Sequence, residues 1–320
     1  AMCVPVLRAF TLQHPKVKLT VLTRPFFKPF FQDLENVTVF AADLKGKHKG
    51  IIGLFKLSRE LKHLGINQVA DLHNVLRTKI LKFFFFGKTF KQIDKGRNDK
   101  KALVSGKLFQ QLKITHERYA DVFRNLGYTL ALSNPTFPNQ LKLKDSTQTL
   151  LEKDNKHWIG IAPFAQYQSK MYPLDLLERV IQELSKTNKV ILFGGGPEEI
   201  KTLNSFQNKY NNVINLAGKL TLTEELQVIS NLDVMLSMDS GNAHIAAMLG
   251  KKVITIWNVT HPFAGFSPFN QPQSHNILAN REQFPLIPTS IYGNKYPEHY
   301  KEASRTIAPE TVIKKIESVL

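Results

Sequence analysis

The chain has 320 residues, 42% of them hydrophobic, which is enough to bury one large core or two ordinary ones. Lys and Arg number 43 against 26 Asp and Glu, and this net charge of +17 favours anionic partners such as phosphates, nucleic acid or an acidic membrane surface. The single cysteine, Cys3, excludes an internal disulfide and a cysteine metal cluster, and no apolar run reaches the about 18 residues of a membrane span.

The opening AMCVPVLRAF has neither the length nor the flanks of a signal peptide, so a cytoplasmic location is expected. VKLTVLT, NVTVFA and NQVADLH then read as strands, separated by the helix-period run GIIGLFKLSRELKHLG and followed by the helix ERYADVFRNLG. Strands alternating with helices predict a parallel α/β sheet. The polar, proline-bearing stretch SNPTFPNQLKLKDSTQTLLEKDNK reads as a linker. Beyond it the alternation restarts with HWIGIAPFA, LDLLERVIQELSKT, KVILFGGG, EEIKTLNSFQNKY and NVINLAG. The helix TLTEELQVISNL follows, with Thr221 or Thr223 as N-cap and Glu224 or Glu225 in its first turn. It leads to the strand DVMLSM, and APETVIKKIESVL, with Pro309 near its start, closes the chain as a helix. The predicted organisation is a Rossmann-like domain over residues 1–135, a linker over 136–156, a second such domain over 157–305 and a closing helix in 306–320.

In doubly wound sheets, ligands bind outside the carboxyl ends of the strands, where loops lead into helix N-termini. DVMLSM ends at Asp239, and Ser240, Gly241 and Asn242 turn into the helix AHIAAMLG. Free N–H groups at the helix start suit a phosphate, Ser240 offers a hydroxyl, and His244 lies on the first turn. The competing reading is an ordinary junction, with Asp239 or Ser240 only an N-cap and His244 on a helix flank. Gly194, Gly195 and Gly196 are not a dinucleotide fingerprint, because Glu199 stands where the third glycine belongs.

The span NLAGKLTLTEELQVISNLDVMLSMDSGNAHIAAMLGKKVITIWNVTHP resembles family 9 glycosyltransferases, the ADP-heptose:lipopolysaccharide heptosyltransferases and their relatives. PVLRAFTLQHPKVKLTVLTRP resembles the family's first helix and second strand, VADLHNVLRTKIL its D-L-H-x-x-x-R segment, and APFAQYQSKMYP its loop ending S-K-x-[WY]-P. One departure is Asn258, which stands where the family's G-x-T-x-P has glycine.

The resemblance implies a GT-B fold, two Rossmann-like domains facing across a cleft, with the nucleotide sugar on the second domain and the acceptor on the first. It implies an inverting transfer of a sugar, heptose from ADP-heptose, to a lipopolysaccharide core acceptor, with no cofactor and no metal. No D-x-D occurs, and His73, His116, His244 and His261 are too scattered for a zinc site. Donor contacts implied by the motifs are Ser169, Lys170, Asp239, Ser240, Gly241, His244 and Thr260, with Glu198 or Glu199 on the ribose. Lys170 is the residue expected to stabilise the departing diphosphate. Asp71, His73 and Arg77 are expected on the acceptor side, Asp71 as a binding or structural residue or as a cap of the next helix. The family's catalytic base lies in a G-D dipeptide after its first strand, and the resemblance puts that segment upstream of Ala1.

The basic, aromatic stretch RTKILKFFFFGKTFKQIDKGRNDKK reads as a helix with Leu and Phe buried, then a short strand. The family resemblance implies that its exposed cations sit near an acceptor in an anionic membrane, with the protein peripheral to the inner face, and nucleic acid is disfavoured because no motif for it is present. The rivals to the leading reading are a family member with another donor sugar or acceptor, and a noncatalytic nucleotide-sugar or polyanion binder.

Overall fold

The apolar runs of the first third fold into short parallel pairs. A computed structural model, describing residues 1–152 and 154–320, gives in chain order α1 (Val4–Gln13), β1 (Leu19–Thr23), β2 (Val37–Ala41), α2 (Gly50–His63), β3 (Gln68–Asp71), α3 (Leu76–Phe84), β4 (Thr89–Gln92), α4 (Arg97–Val104) and α5 (Thr115–Arg124). β1 pairs with β2 and β3 with β4, all parallel, and among the described residues no strand joins the two pairs.

The rest of the chain supplies α6 (Asp145–Leu151), β5 (Trp158–Ala162), α7 (Leu174–Leu184), β6 (Lys189–Leu192), α8 (Pro197–Lys209), β7 (Val213–Asn215), α9 (Leu222–Ser230), β8 (Val234–Met238), α10 (Gly241–Met248), β9 (Lys252–Trp257), β10 (Asn276–Leu278) and α11 (Pro309–Glu317). Six parallel strands form one sheet in the order β10-β9-β8-β5-β6-β7. β8 is buried along its whole length and β5 at every residue but Trp158, as expected for strands covered by helices on both faces. Leu177, Val180, Ile181 and Leu184 give α7 one apolar face on this sheet, and Val312 and Ile316 of α11 join the same core. The start of α9 settles an open choice. Thr221 Oγ1 accepts from the Glu224 N–H at 3.3 Å, and Glu224 Oε2 accepts from the Thr221 N–H at 2.9 Å, a reciprocal cap.

The chain divides into one unit of residues 1–96 and 113–136, and a second of 97–112 and 137–320. Residues 97–112, read from sequence as part of the first domain, belong to the second. The reason is apolar packing, since Leu103 and Leu112 are buried in one cluster with Ala264. The predicted linker also carries structure. Within it α6 buries Thr147 and Leu151, while Lys153 lies outside the described residues.

Candidate functional site

The sheet order of the second unit locates a crevice before any side chain is considered. From β5 the chain winds outward through β6 and β7, and from β8 it winds the other way through β9 and β10. The carboxyl ends of β5 and β8 are therefore the topological switch point, the place where open α/β sheets bind ligands. A cavity of about 220 Å³ lies there, lined by Lys170 from the loop after β5 and by Asp239, Ser240, Gly241 and His244 at the β8–α10 junction.

The junction is not an ordinary capped helix start. Ser240 is the N-cap residue of α10, yet its side chain makes no cap hydrogen bond and instead shares one with Ser237 Oγ at 3.0 Å. The first N–H groups of α10 thus lack a side-chain acceptor and are available to an anion. A Cβ built on Gly241 would meet nothing within 4 Å, so the space beside it is open.

Lys170 Nζ lies 2.8 Å from Asp239 Oδ2, with both side chains nearly buried. Its stem is held from behind. Gly293 has φ +76°, and a Cβ there would lie 2.6 Å from Lys170 Cγ. Ser169 Oγ donates to the Gly293 carbonyl, which ties the two loops together. Gly293→Ala is expected to cost about 1–3 kcal/mol in left-handed strain alone, and so to lower the calorimetric midpoint by several degrees at about 2–4 °C per kcal/mol. An unchanged midpoint would mean that the 290–294 loop moves freely off Lys170.

His244 is only partly exposed, and its Nδ1 is buried without a hydrogen-bond partner. Burial, aided by the neighbouring Lys170 charge, pushes the imidazole down to about 3. The ring is therefore neutral at pH 7 in the absence of an anion, with one N–H to offer as a hydrogen-bond donor.

The structure brings Lys170, Asp239, Ser240, Gly241 and His244 together and leaves four other expected donor contacts outside the cavity lining. Ser169 is completely buried, with its hydroxyl on Gly293, and so acts as a brace. Glu199 Oε2 accepts from the Gly195 N–H at 2.8 Å and closes the start of α8, whereas Glu198 is exposed. Thr260 is buried, and its Oγ1 has no hydrogen-bond partner. Asn258, at the position where glycine was expected, is fully buried and accepts from the Ser304 N–H at 2.9 Å while donating to the Lys301 carbonyl at 2.8 Å. The amide thus replaces backbone flexibility with a brace. Four lining residues were not foreseen, namely Gln166, Phe266, Ile291 and Tyr292.

In the first unit, Asp71 ends β3 and is buried. Oδ1 accepts from the N–H groups of His73 and Asn74 at 3.0 and 2.9 Å, and Oδ2 accepts from Gln92 Nε2 at 2.9 Å. Burial alone would raise this carboxyl, but the hydrogen bonds led by Gln92 outweigh it and hold it low. Asp71 does not cap α3, whose N-cap is Val75 with Thr78 bonding back to it. His73 and Arg77 are exposed, and burial, then the Lys95 charge, lowers the imidazole.

Glycosyltransferase family 9 (heptosyltransferase) matches residues 54–294. A lipooligosaccharide heptosyltransferase 2 of Campylobacter jejuni is 25% identical over 187 residues, which is 57% of this chain and 56% of that protein. The matched part thus spans little more than half of that relative. The crystal structure of a family 9 glycosyl transferase from Veillonella parvula superposes with a TM-score of 0.75 at 18% identity, covering 99% of this chain and 92% of that one. The E. coli heptosyltransferase WaaC with ADP superposes with a TM-score of 0.67 at 16% identity, covering 100% and 95%. These likenesses give the chain its fold, GT-B.

Proposed function

The chain belongs to glycosyltransferase family 9, and from that premise we propose that it is an inverting, metal-independent glycosyltransferase that moves heptose from ADP-heptose to a lipopolysaccharide core acceptor. One observation carries this reading. Lys170, the unsatisfied start of α10 and the neutral donor His244 converge on one cavity at the switch point. A diphosphate there would meet one cation, several aligned N–H groups and an imidazole N–H, which together can hold the charge that develops as it leaves.

In the proposed reaction an acceptor hydroxyl oxygen attacks the anomeric carbon. The bond from that carbon to the diphosphate oxygen breaks with inversion, and ADP departs carrying the electron pair. The acceptor's proton must go to a base, and Asp71 is a poor one because its hydrogen bonds favour the ionised form and fix both oxygens. Asp71 is proposed as a positioning residue for the His73 loop that leads into Arg77 on the first turn of α3 on the acceptor side, and the base itself is assigned to no residue of this cavity. Of the two carboxylates near α8, Glu198 is proposed for the ribose, since Glu199 is committed to the helix start. Thr260 is proposed as a reserve hydroxyl that a donor could satisfy.

The proposed partners are a nucleotide-diphosphate sugar, a lipopolysaccharide core acceptor and an anionic membrane surface, with no nucleic acid. Among the described residues, no helix is long and apolar enough to cross a membrane.

Calorimetry with ADP, GDP and UDP, with and without EDTA, followed by ADP release from ADP-heptose plus core acceptor, tests the reading. The expected result is preference for ADP, affinity unchanged by chelation and turnover dependent on acceptor. Binding lost in EDTA and restored by magnesium would overturn the metal-free mechanism, and ADP binding without any turnover would leave a binder in place of a transferase.

A further inference from the structure

α2 is amphipathic in an unusual way. Its inner face buries Leu54, Leu57 and Leu61, as a surface helix should. Its outer face exposes Ile51, Ile52 and Phe55, at 65%, 74% and 48%, although three- and four-residue spacing puts them on one side. The next helix continues the surface. Phe55 meets Phe84 with ring centroids 5.4 Å apart, and Phe84 meets Phe83 at 5.9 Å. Phe83 is 78% exposed and Phe86 94%. Side chains this large are rarely presented together to water without a partner.

The surroundings say what kind of partner. Residues 44–59 and 72–93 contain no Asp or Glu. Lys56 and Arg59 stand exposed on the outer face of α2, and Lys79 and Lys88 flank the phenylalanines of α3. The one carboxylate in these two helices, Glu60, is held by Lys47 at 2.8 Å. An apolar centre rimmed by cations alone matches a bilayer with anionic headgroups, which accepts the rings below and pairs the cations above. Two copies of the same face would set cation against cation. A nucleic acid would satisfy the cations but give the isoleucines nothing to stack on.

We infer that the outer face of α2, with Phe83 and Phe86, is the surface by which the protein docks on an anionic lipid bilayer. This rests on the proposal of a membrane-embedded acceptor only for its biological sense, since the surface lies in the first unit and its physics is independent of the donor cavity.

The test is co-sedimentation of the full chain with vesicles of phosphatidylcholine alone or with about one third phosphatidylglycerol. Binding is expected only to the anionic vesicles and is expected to fall steeply with salt. Phe83→Ser with Phe86→Ser should lower partitioning about tenfold, and Lys56→Glu with Arg59→Glu should lower it at least about 25-fold, at about fivefold per near-surface cation. ADP affinity and the thermal midpoint should stay at wild-type values in both pairs. Tryptophan emission of Phe83→Trp should shift to the blue on anionic vesicles. Equal vesicle binding by wild type and the serine pair, or an unshifted Phe83→Trp emission, would overturn the docking surface. So would a wild-type dimer that the serine pair converts to monomer. Failure of ADP to bind the wild-type chain would count against the donor site and leave this surface standing.

Discussion

Lys170→Met is expected to weaken ADP binding by about 10- to 100-fold and to leave adenosine binding within about threefold, because a hydrogen bond to a charged group contributes about 1.5–3 kcal/mol. The expectation follows from where the ammonium sits. It lines the cavity beside the start of α10, with one donor on Asp239 and its stem clasped by the Gly293 turn. A cation fixed in that way reads phosphate charge and has no means of reading a nucleoside.

Turnover should fall further than affinity, with kcat down about 100- to 1000-fold, because the diphosphate gains charge as it leaves and the missing cation acts most on that state. Asp239→Asn is the control. It leaves the ammonium in place without its partner, so preference for ADP over adenosine should persist. Equal losses for ADP and adenosine in Lys170→Met would show that the substitution disturbs the loop generally and that Lys170 is not the phosphate contact. His244→Ala should act in the same direction but less strongly, since a neutral donor lacks the long-range attraction of a charge.

How far the sequence reveals this site depends on the kind of information each residue carries. Asp239, Ser240, Gly241 and His244 lie within one six-residue stretch, and the strand-loop-helix pattern around them is strongly periodic, so their convergence at a strand end was readable. Lys170 was readable for the same reason, since it follows the neighbouring strand. Ile291 and Tyr292 were not. They lie more than forty residues beyond α10 in a stretch with no regular period, and only the return of that loop over Ser169 brings them to the cavity. Gly293 was the available signal, because an isolated glycine before Asn in irregular chain often marks a left-handed turn.

Ser169 and Glu199 show the opposite limit. Both have the right chemistry in the right segment, and both turn out to satisfy the backbone instead. Spacing cannot distinguish a carboxylate that binds a ligand from one that closes a helix, because the two uses require the same atoms at the same end of a strand. The domain boundary failed for a related reason. α4 is short and polar, and what assigns it to the second unit is the burial of Leu103 against residues 160 positions away, which local pattern does not encode.

Acidification from pH 7.5 to 5 is expected to destabilise the second unit by about 2–4 kcal/mol, before any carboxylate network is lost. Two histidines contribute most, and His275, lowered by burial and then the Lys315 charge, acts in the same direction. His244 is pushed down to about 3 by burial and the Lys170 charge, and His261 to about 4 by burial and the Arg281 charge. His261 is packed between Phe109 and Phe263, with ring centroids 5.0 and 4.4 Å away, and its Nδ1 accepts from the Phe263 N–H at 3.2 Å. In the unfolded chain both would titrate near the ordinary 6.5. The unfolded state therefore binds protons below that pH while the folded state does not, so stability falls as pH drops from 6.5 towards the folded values. At pH 5 each group is about 1.5 units below its unfolded pKa, a ceiling of about 2 kcal/mol apiece at 1.36 kcal/mol per unit, and the partial exposure of His244 reduces its share. Glu225 works against the trend, since burial raises its carboxyl and protonation relieves it. Glu224, held near 2 by Lys144 and Thr221, stays charged throughout the window. The quantity to measure is the slope of unfolding free energy against pH between 5 and 6.5. His244→Gln and His261→Gln should each flatten that slope whatever they do to absolute stability, because the lost hydrogen bonds of glutamine variants do not titrate. Identical slopes in the wild type and both variants would mean that neither ring is kept neutral by the fold.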